Sequence, residues 1–292
     1  MRIKVWGCRG SLPSPGRETL RYGGNGTCYE IRPVPEHLII VDAGSGIRNL
    51  GKAMMQAGTP LHACLMLTHS HWDHLVGFPF FVPAYFSRYS FRVCGGPEAQ
   101  ESVREFLASQ MQAPYFPVDF SQIKASFQFD CRCSVNSPHP ELRIKPIRLS
   151  HPNGGYGFRF EHRGTSFVLL TDNELEVAHG GGNGRSEFIE ACRNADLLFH
   201  DAQYTEEDYQ KTRGWGHSTF FQAVDLALEA GVKTLGLVHH DPDRTDDDLD
   251  RQVEACRQRI AARGVDLHCV GVAEGDVFEI PGPGLPVTVT RS

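Results

Sequence analysis

The chain has 292 residues, with 29 Lys and Arg against 35 Asp and Glu for a formal net charge of −6, and 40% of its residues are hydrophobic. That hydrophobic share excludes a disordered polymer, and a net-negative chain without a dense basic stripe is poorly equipped to hold a long polyanion. The longest largely apolar stretch, residues 75–86, is too short to cross a bilayer and is interrupted by Pro79 and Pro83.

From the N-terminus, Met1 to Trp6 alternates polar and apolar residues like a first strand and has no long apolar segment of a secretion signal, so a cytoplasmic protein is expected. Two Gly-rich turns follow, Cys8-Arg9-Gly10-Ser11 and Gly23-Gly24-Asn25-Gly26-Thr27, from which Arg9 and Asn25 are placed as substrate contacts. Val41-Asp42-Ala43-Gly44-Ser45-Gly46 leads into a helix over residues 46–56 that Gly58 closes. Ala63 to Leu67 reads as a short buried strand and delivers Thr68-His69-Ser70-His71-Trp72-Asp73-His74. Beyond lie the aromatic segments Phe78 to Phe86 and Pro114-Tyr115-Phe116-Pro117, expected to pack in the core, with base stacking or a dimer contact as the alternative. Residues 98–112 carry a second helical pattern, and 116–141 read as strands and loops. Strand-like runs at 144–150, 167–171 and 235–238 end on potential ligands: His151, Asp172 and the pair His239-His240.

Gly180 to Gly184 lacks the Lys-Ser/Thr of a phosphate loop and reads as a flexible linker. Ser186 is placed as the cap of a helix to Asn194, Ser218 of one to Ala230, and Thr245 of one to Arg263. The last has Asp246, Asp247 and Asp248 in its first turn, as the helix dipole favours. Residues 267–272 and 276–280 are expected to form a hairpin turning at Glu274-Gly275. The nine cysteines are scattered, and the one close pair, Cys131-x-Cys133, fits neither a redox motif nor a zinc knuckle; buried thiols in a reducing compartment are expected.

The chemistry concentrates at residues 69–74. Three imidazoles and a carboxylate at the end of a rigid strand are donor types that suit zinc and its neighbours. His69 and His71, two apart on an extended segment, can face one ion, while Asp73 and His74 at the next turn can face another. Potential ligands run from 69 to 239, so any cut between them would split the site, and one domain over residues 1–292 is expected.

His69-x-His71-x-Asp73-His74 resembles the signature of the metallo-β-lactamase superfamily. The resemblance implies an α/β fold, an αββα four-layer sandwich with a dinuclear metal site. Carried over residue by residue, it implies that His69, His71 and His151 hold one metal, that Asp73, His74 and His239 hold the other, and that Asp172 bridges them. Two divalent ions are implied, zinc first and manganese or iron as alternatives. Asp42 would brace the ligands from behind, and His240 stays open as the alternative to His239.

Gly216-His217-Ser218-Thr219 resembles the His-Ser-Thr motif of the ribonuclease Z-like phosphodiesterases. This implies His217 as proton donor or phosphate contact, with Ser218 and Thr219 at a helix N-terminus whose N–H groups face phosphate. Asp201 is placed behind His217 as an orienting carboxylate or as a purely structural one, and His200 as a core histidine. The implied reaction is hydrolysis of a phosphodiester by metal-bound hydroxide, with Asp73 both ligating and touching the nucleophile. RNA-processing members carry a long Gly/Pro-rich arm between the third and fourth metal motifs. Here residues 155–160 run almost directly into Asp172, so a small diester such as a cyclic nucleotide or cyclic phosphate is expected rather than a tRNA 3′ end. Two other classes stay open. A thioester or lactone hydrolase of the glyoxalase II kind shares every ligand without needing His217, and a non-catalytic metal-dependent binding protein is the third class. The resemblance also implies a homodimer.

Overall fold

The computed structural model describes residues 1–58, 61–129 and 139–291, so Cys131, Cys133 and Pro138 lie outside the described residues. The first sheet takes β1 (Arg2–Gly7), β2 (Cys28–Arg32), β3 (Leu38–Val41), β4 (His62–Met66), β5 (Ser90–Cys94) and β6 (Ser126–Gln128). The second takes β7 (Leu142–Arg148), β8 (Tyr156–His162), β9 (Thr165–Leu170), β10 (Leu197–Asp201), β11 (Thr234–Val238) and β12 (His268–Gly271). The chain then returns to the first sheet with β13 (Val277–Glu279) and β14 (Thr288–Thr290). The orders are β14-β13-β1-β2-β3-β4-β5-β6 and β12-β11-β10-β9-β8-β7.

Strand composition follows from which faces are covered. In β1 burial alternates, with Ile3 and Val5 turned inward. By contrast β9, β10 and β11 are buried along their whole length, as parallel strands covered on both faces must be. Between the sheets lie Val5, Tyr29, Phe158, Phe167, Phe199 and Phe278. The outer face of the first sheet is covered by α1 (Ile47–Ala57), α3 (Val103–Ser109) and aromatic 3-10 turns bearing Phe78 and Phe81, and the short α2 (Gly96–Ala99) lies between β5 and α3 in the chain. The outer face of the second is covered by α4 (Arg185–Cys192), α6 (Phe220–Ala230) and α7 (Asp246–Ala262), with α5 (Glu206–Thr212) exposed beside them. The result is the αββα sandwich. Among the described residues no helix is long and apolar enough to cross a membrane.

Four local expectations change. The helix expected over 98–112 is broken, because the Gln100 amide is spent on the backbone of Gly95, Val93 and Phe129 and pins the chain between α2 and α3. Gly184, not Ser186, caps α4, with Glu187 reaching back to its amide at 2.8 Å. Thr219 rather than Ser218 caps α6, paired with Gln222. The expected terminal hairpin does not form: β12 pairs with β11 in one sheet and β13 with β1 in the other. Two strand-like runs flanking a Gly specify a turn, not the partners of each run. Thr245 does cap α7, accepting from the Asp248 amide.

Phe199 is fully buried, with ring centroids 5.0 Å from Phe167 and 4.8 Å from Phe278. Phe199→Ala is therefore expected to lower unfolding free energy by about 3–5 kcal/mol, read by urea denaturation of the metal-loaded protein. A loss below about 1 kcal/mol would show that the inter-sheet core is loosely packed.

Candidate metal centre

Strand ends from both sheets converge on one point. β3 runs into Asp42, β4 into Thr68 and His69, β9 into Asp172, β10 ends at Asp201, and β11 runs into His239. Three of these residues turn off their strands through left-handed backbone: Asp42 at φ 64°, Asp172 at φ 51° and His239 at φ 59°. Non-glycine residues rarely adopt that region, and strain of this kind persists where surrounding contacts over-determine it. In each case the turn aims a polar side chain into the gap between the sheets.

Two groups of donors meet there. His69, His71 and His151 form one, and Asp73, His74, Asp172 and His239 the other, each with ligand atoms mutually within 4.8 Å. Asp172 touches both, with Oδ1 3.1 Å from His239 Nε2 and 3.7 Å from His69 Nε2, and Oδ2 3.1 Å from His74 Nε2. The Nε2 atoms of His69 and His74 are buried and make no hydrogen bond. Orphaned ring nitrogens facing carboxylates are the donor set a divalent cation satisfies.

The outer nitrogens explain why the inner ones converge. His74 Nδ1 lies 2.7 Å from Asp42 Oδ2, His151 Nδ1 2.8 Å from the Gly216 carbonyl, and His239 Nδ1 2.8 Å from Gln203 Oε1. His69 Nδ1 lies 3.1 Å from Thr68 Oγ1, itself bonded to Asp42. An oxygen acceptor at Nδ1 keeps the proton there and leaves the Nε2 lone pair for a metal. His240 is turned away, its Nε2 bonded to the Val272 carbonyl at 2.8 Å, whereas His239 faces the cluster.

Beside the two groups stands His217. Its Nδ1 is 2.6 Å from Asp201 Oδ2, and its ring stacks on His239 at 4.9 Å and lies 5.2 Å from His151. Ser218 donates to the Asn173 carbonyl at 2.6 Å and accepts from the Leu175 amide at 3.2 Å, tying this loop to the one that follows Asp172. Thr219 is spent on the α6 cap and on Glu206, and the Phe220 amide on the Tyr204 carbonyl. The amides of Phe220 and Gln222 at the start of α6 are thus paired within the protein rather than free for phosphate.

A model of the beta-lactamase superfamily domain matches residues 37–240. The chain belongs to the beta-lactamase superfamily. It is 24% identical over 285 residues to a ribonuclease Z of Haloarcula marismortui, covering 82% of this chain and 86% of that one. Its fold is shared with human tRNase Z, short form (TM-score 0.63, 19% identity, 96% of this chain and 100% of that one). It is shared equally with a diphosphatase of the PhnP family (TM-score 0.61, 16% identity, 96% and 97%). With this family and this donor set the protein is a metal-dependent hydrolase.

In this superfamily member two of the expected substrate contacts are structural. The Arg9 guanidinium is buried and donates to the carbonyls of Gly23, Asp241 and Arg244. Asn25 donates to Glu274 Oε1 at 2.7 Å and accepts from Ser45 Oγ at 2.9 Å, so the polar atoms of both side chains are engaged within the protein. His200 is a core histidine, held by the Asp201 carbonyl and the Asn173 amide. Sequence patterns missed Gln203 behind His239, and the Ser11 amide, which donates to Asp73 Oδ2 at 2.9 Å. They also missed Glu174, a buried carboxylate that accepts from the Gly214 and Gly216 amides, Tyr209 and His179. Gln203 lies two residues beyond Asp201, but nothing in its type or spacing marks it.

Charge balance in the protein alone is set by burial against carboxylates. Burial pushes His69 down and His151 down to about 4. For His74 and His239 burial is outweighed, chiefly by Asp172 with Asp73, and both are raised, His239 to about 10. Around neutral pH these two imidazoles carry protons that an incoming cation must displace. Metal uptake by the apoprotein is expected to release protons and to weaken as pH falls, which titration in a weakly buffered pH-indicator dye measures directly. Gln203→Leu is expected to lower metal affinity about 10–100-fold by chelator competition; unchanged affinity would remove Gln203 from the ligand support.

Proposed function

We propose that the protein hydrolyses a small phosphodiester, a cyclic nucleotide or cyclic phosphate, using two divalent ions, zinc first. His69, His71 and His151 hold one ion, Asp73, His74 and His239 the other, and Asp172 is shared. When bound, the ions supply Lewis acidity toward the phosphoryl oxygens and toward the attacking water.

The observation that carries the diester reading is His217. A thioester's thiolate leaves without a proton at neutral pH, whereas an alkoxide needs one. An imidazole at the edge of the donor cluster, with Nδ1 fixed by a buried carboxylate, meets that need. Asp201 fixes the plane of the ring, and the stack on His239 fixes its distance from the cluster, leaving Nε2 to exchange a proton with the leaving oxygen. Asp73 holds the second group from below and is itself fixed by the Ser11 amide. The ribonuclease Z relatives favour a second reading, cleavage of RNA. Against it stand the net charge of −6 and the two-residue turn, Arg163-Gly164, that joins β8 directly to β9 where an RNA-gripping arm would be inserted. A homodimer accompanies this proposal.

The test is a screen of the metal-loaded enzyme against cyclic nucleotides, cyclic phosphates, bis(p-nitrophenyl) phosphate, a tRNA precursor and a thioester. His71→Ala is expected to abolish diester cleavage. His217→Ala is expected to lower kcat about 10²–10⁴-fold on a cyclic phosphate, far less on bis(p-nitrophenyl) phosphate, whose leaving group needs no proton, and to keep its metal. Ready thioester cleavage with no diesterase activity would sink the proposal.

A further inference from the structure

On the stretch of chain that follows His71, a cavity of about 480 Å³ is walled by Trp72, Val76, Pro79, Phe80, Tyr115 and Phe116, with Ser109 and Gln110 also lining it. Its aromatic members are unusually open: Trp72 is 78% exposed, Tyr115 82% and Phe80 54%. They are nevertheless anchored. Trp72 opens the 3-10 turn that also carries Asp73 and His74, and its carbonyl accepts from the amides of Leu75 and Val76. Phe80 packs edge-to-face on Phe116 at 5.5 Å, and the neighbouring Phe78 and Phe81 are locked in the core beneath the first sheet. Aromatic surface left in water is unfavourable unless something covers it.

We propose that this cavity is the subsite for a planar aromatic group carried on the phosphodiester, a nucleobase or an aryl ring. Three observations favour that occupant. Trp72 stands between His71 and Asp73 in the chain, so the cavity wall is built on the same turn that carries donors of the cluster. The volume is that of a small-ligand pocket rather than of a protein interface. The described lining holds no charged residue and two neutral polar ones, which suits an uncharged heteroaromatic ring and leaves the phosphate to the metal side. Stacking of a base on an aromatic side chain tolerates any base, so the subsite selects base-bearing esters as a class. Among the substrates proposed above, it selects cyclic nucleotides over cyclic sugar phosphates.

The inference rests on the phosphodiesterase proposal for its substrates but not for binding, and two measurements separate them. The first compares kcat/KM of the metal-loaded protein for 2′,3′-cyclic AMP with that for the base-free ribose cyclic phosphate. The expected ratio is about tenfold or more in favour of the nucleotide, collapsing to about one in Trp72→Ala and Tyr115→Ala and retained in Trp72→Phe. A ratio near one in the wild type, or one untouched by Trp72→Ala, overturns the subsite. The second is calorimetric titration with AMP and with ribose 5-phosphate. If the wild type cleaves no diester, AMP binding about tenfold tighter, lost in Trp72→Ala, upholds the subsite while the diesterase proposal falls; equal binding removes the subsite. Dissociation of a dimer by Trp72→Ala with the ratio unchanged assigns the aromatic wall to a second copy and overturns the proposal.

Discussion

Everything at this centre depends on holding two carboxylates and five imidazoles, all but His71 buried, against one another. Asp73 and Asp172 are nearly fully buried, and burial alone would drive them to the protonated form. Histidines on three sides hold them ionised instead. The four buried histidines turn Nε2 inward because each Nδ1 meets an oxygen, of Asp42, Thr68, Gly216 or Gln203. The outer oxygens therefore determine the geometry as much as the ligands do.

This requirement propagates into the backbone. His151 is oriented by the carbonyl of Gly216, and Gly216 is held in left-handed conformation at φ 94° by its own amide on Glu174. A Cβ there would fall 2.1 Å from His151 Nδ1, so only glycine lets the loop pass close enough to serve as its acceptor. The same loop carries His217 one residue later. Glu174 thus sets the position of a proposed metal ligand, His151, and of the proposed proton donor together. It follows Asp172 by two residues, so the loop leaving β9 ties these parts to the residue the two donor groups share.

Much of this was legible in the sequence. Short apolar runs ending on His69, His151, Asp172 and His239 are patterns of residue type and order, and a strand end is where such order becomes geometry. The four layers were implied by the family resemblance, and strands apolar on both faces, as β9 to β11 are, fit them because such strands must be covered twice. What failed depended on contacts between distant segments. Nothing local tells that Gln100 will bind the backbone of Val93 and Phe129, or that β12 and β13, adjacent in sequence, choose partners in different sheets. Arg9 and Asn25 looked functional because polar residues in Gly-rich turns often are. Their partners, Asp241, Arg244 and Glu274, lie more than two hundred residues away.

The division between reaction and substrate follows from where each part is built. Ligands and their supports sit at strand ends inside the sandwich, where a change of one residue disturbs several others, so the donor set can be shared among proteins acting on unlike esters. Residues that face outward are freer to vary. In this chain the second sheet joins β8 to β9 through a turn of two residues, Arg163-Gly164. The first sheet instead raises an aromatic wall from the turn that also holds Asp73 and His74. On the proposal made above, that wall receives a single neutral ring while the buried donor cluster takes the phosphate.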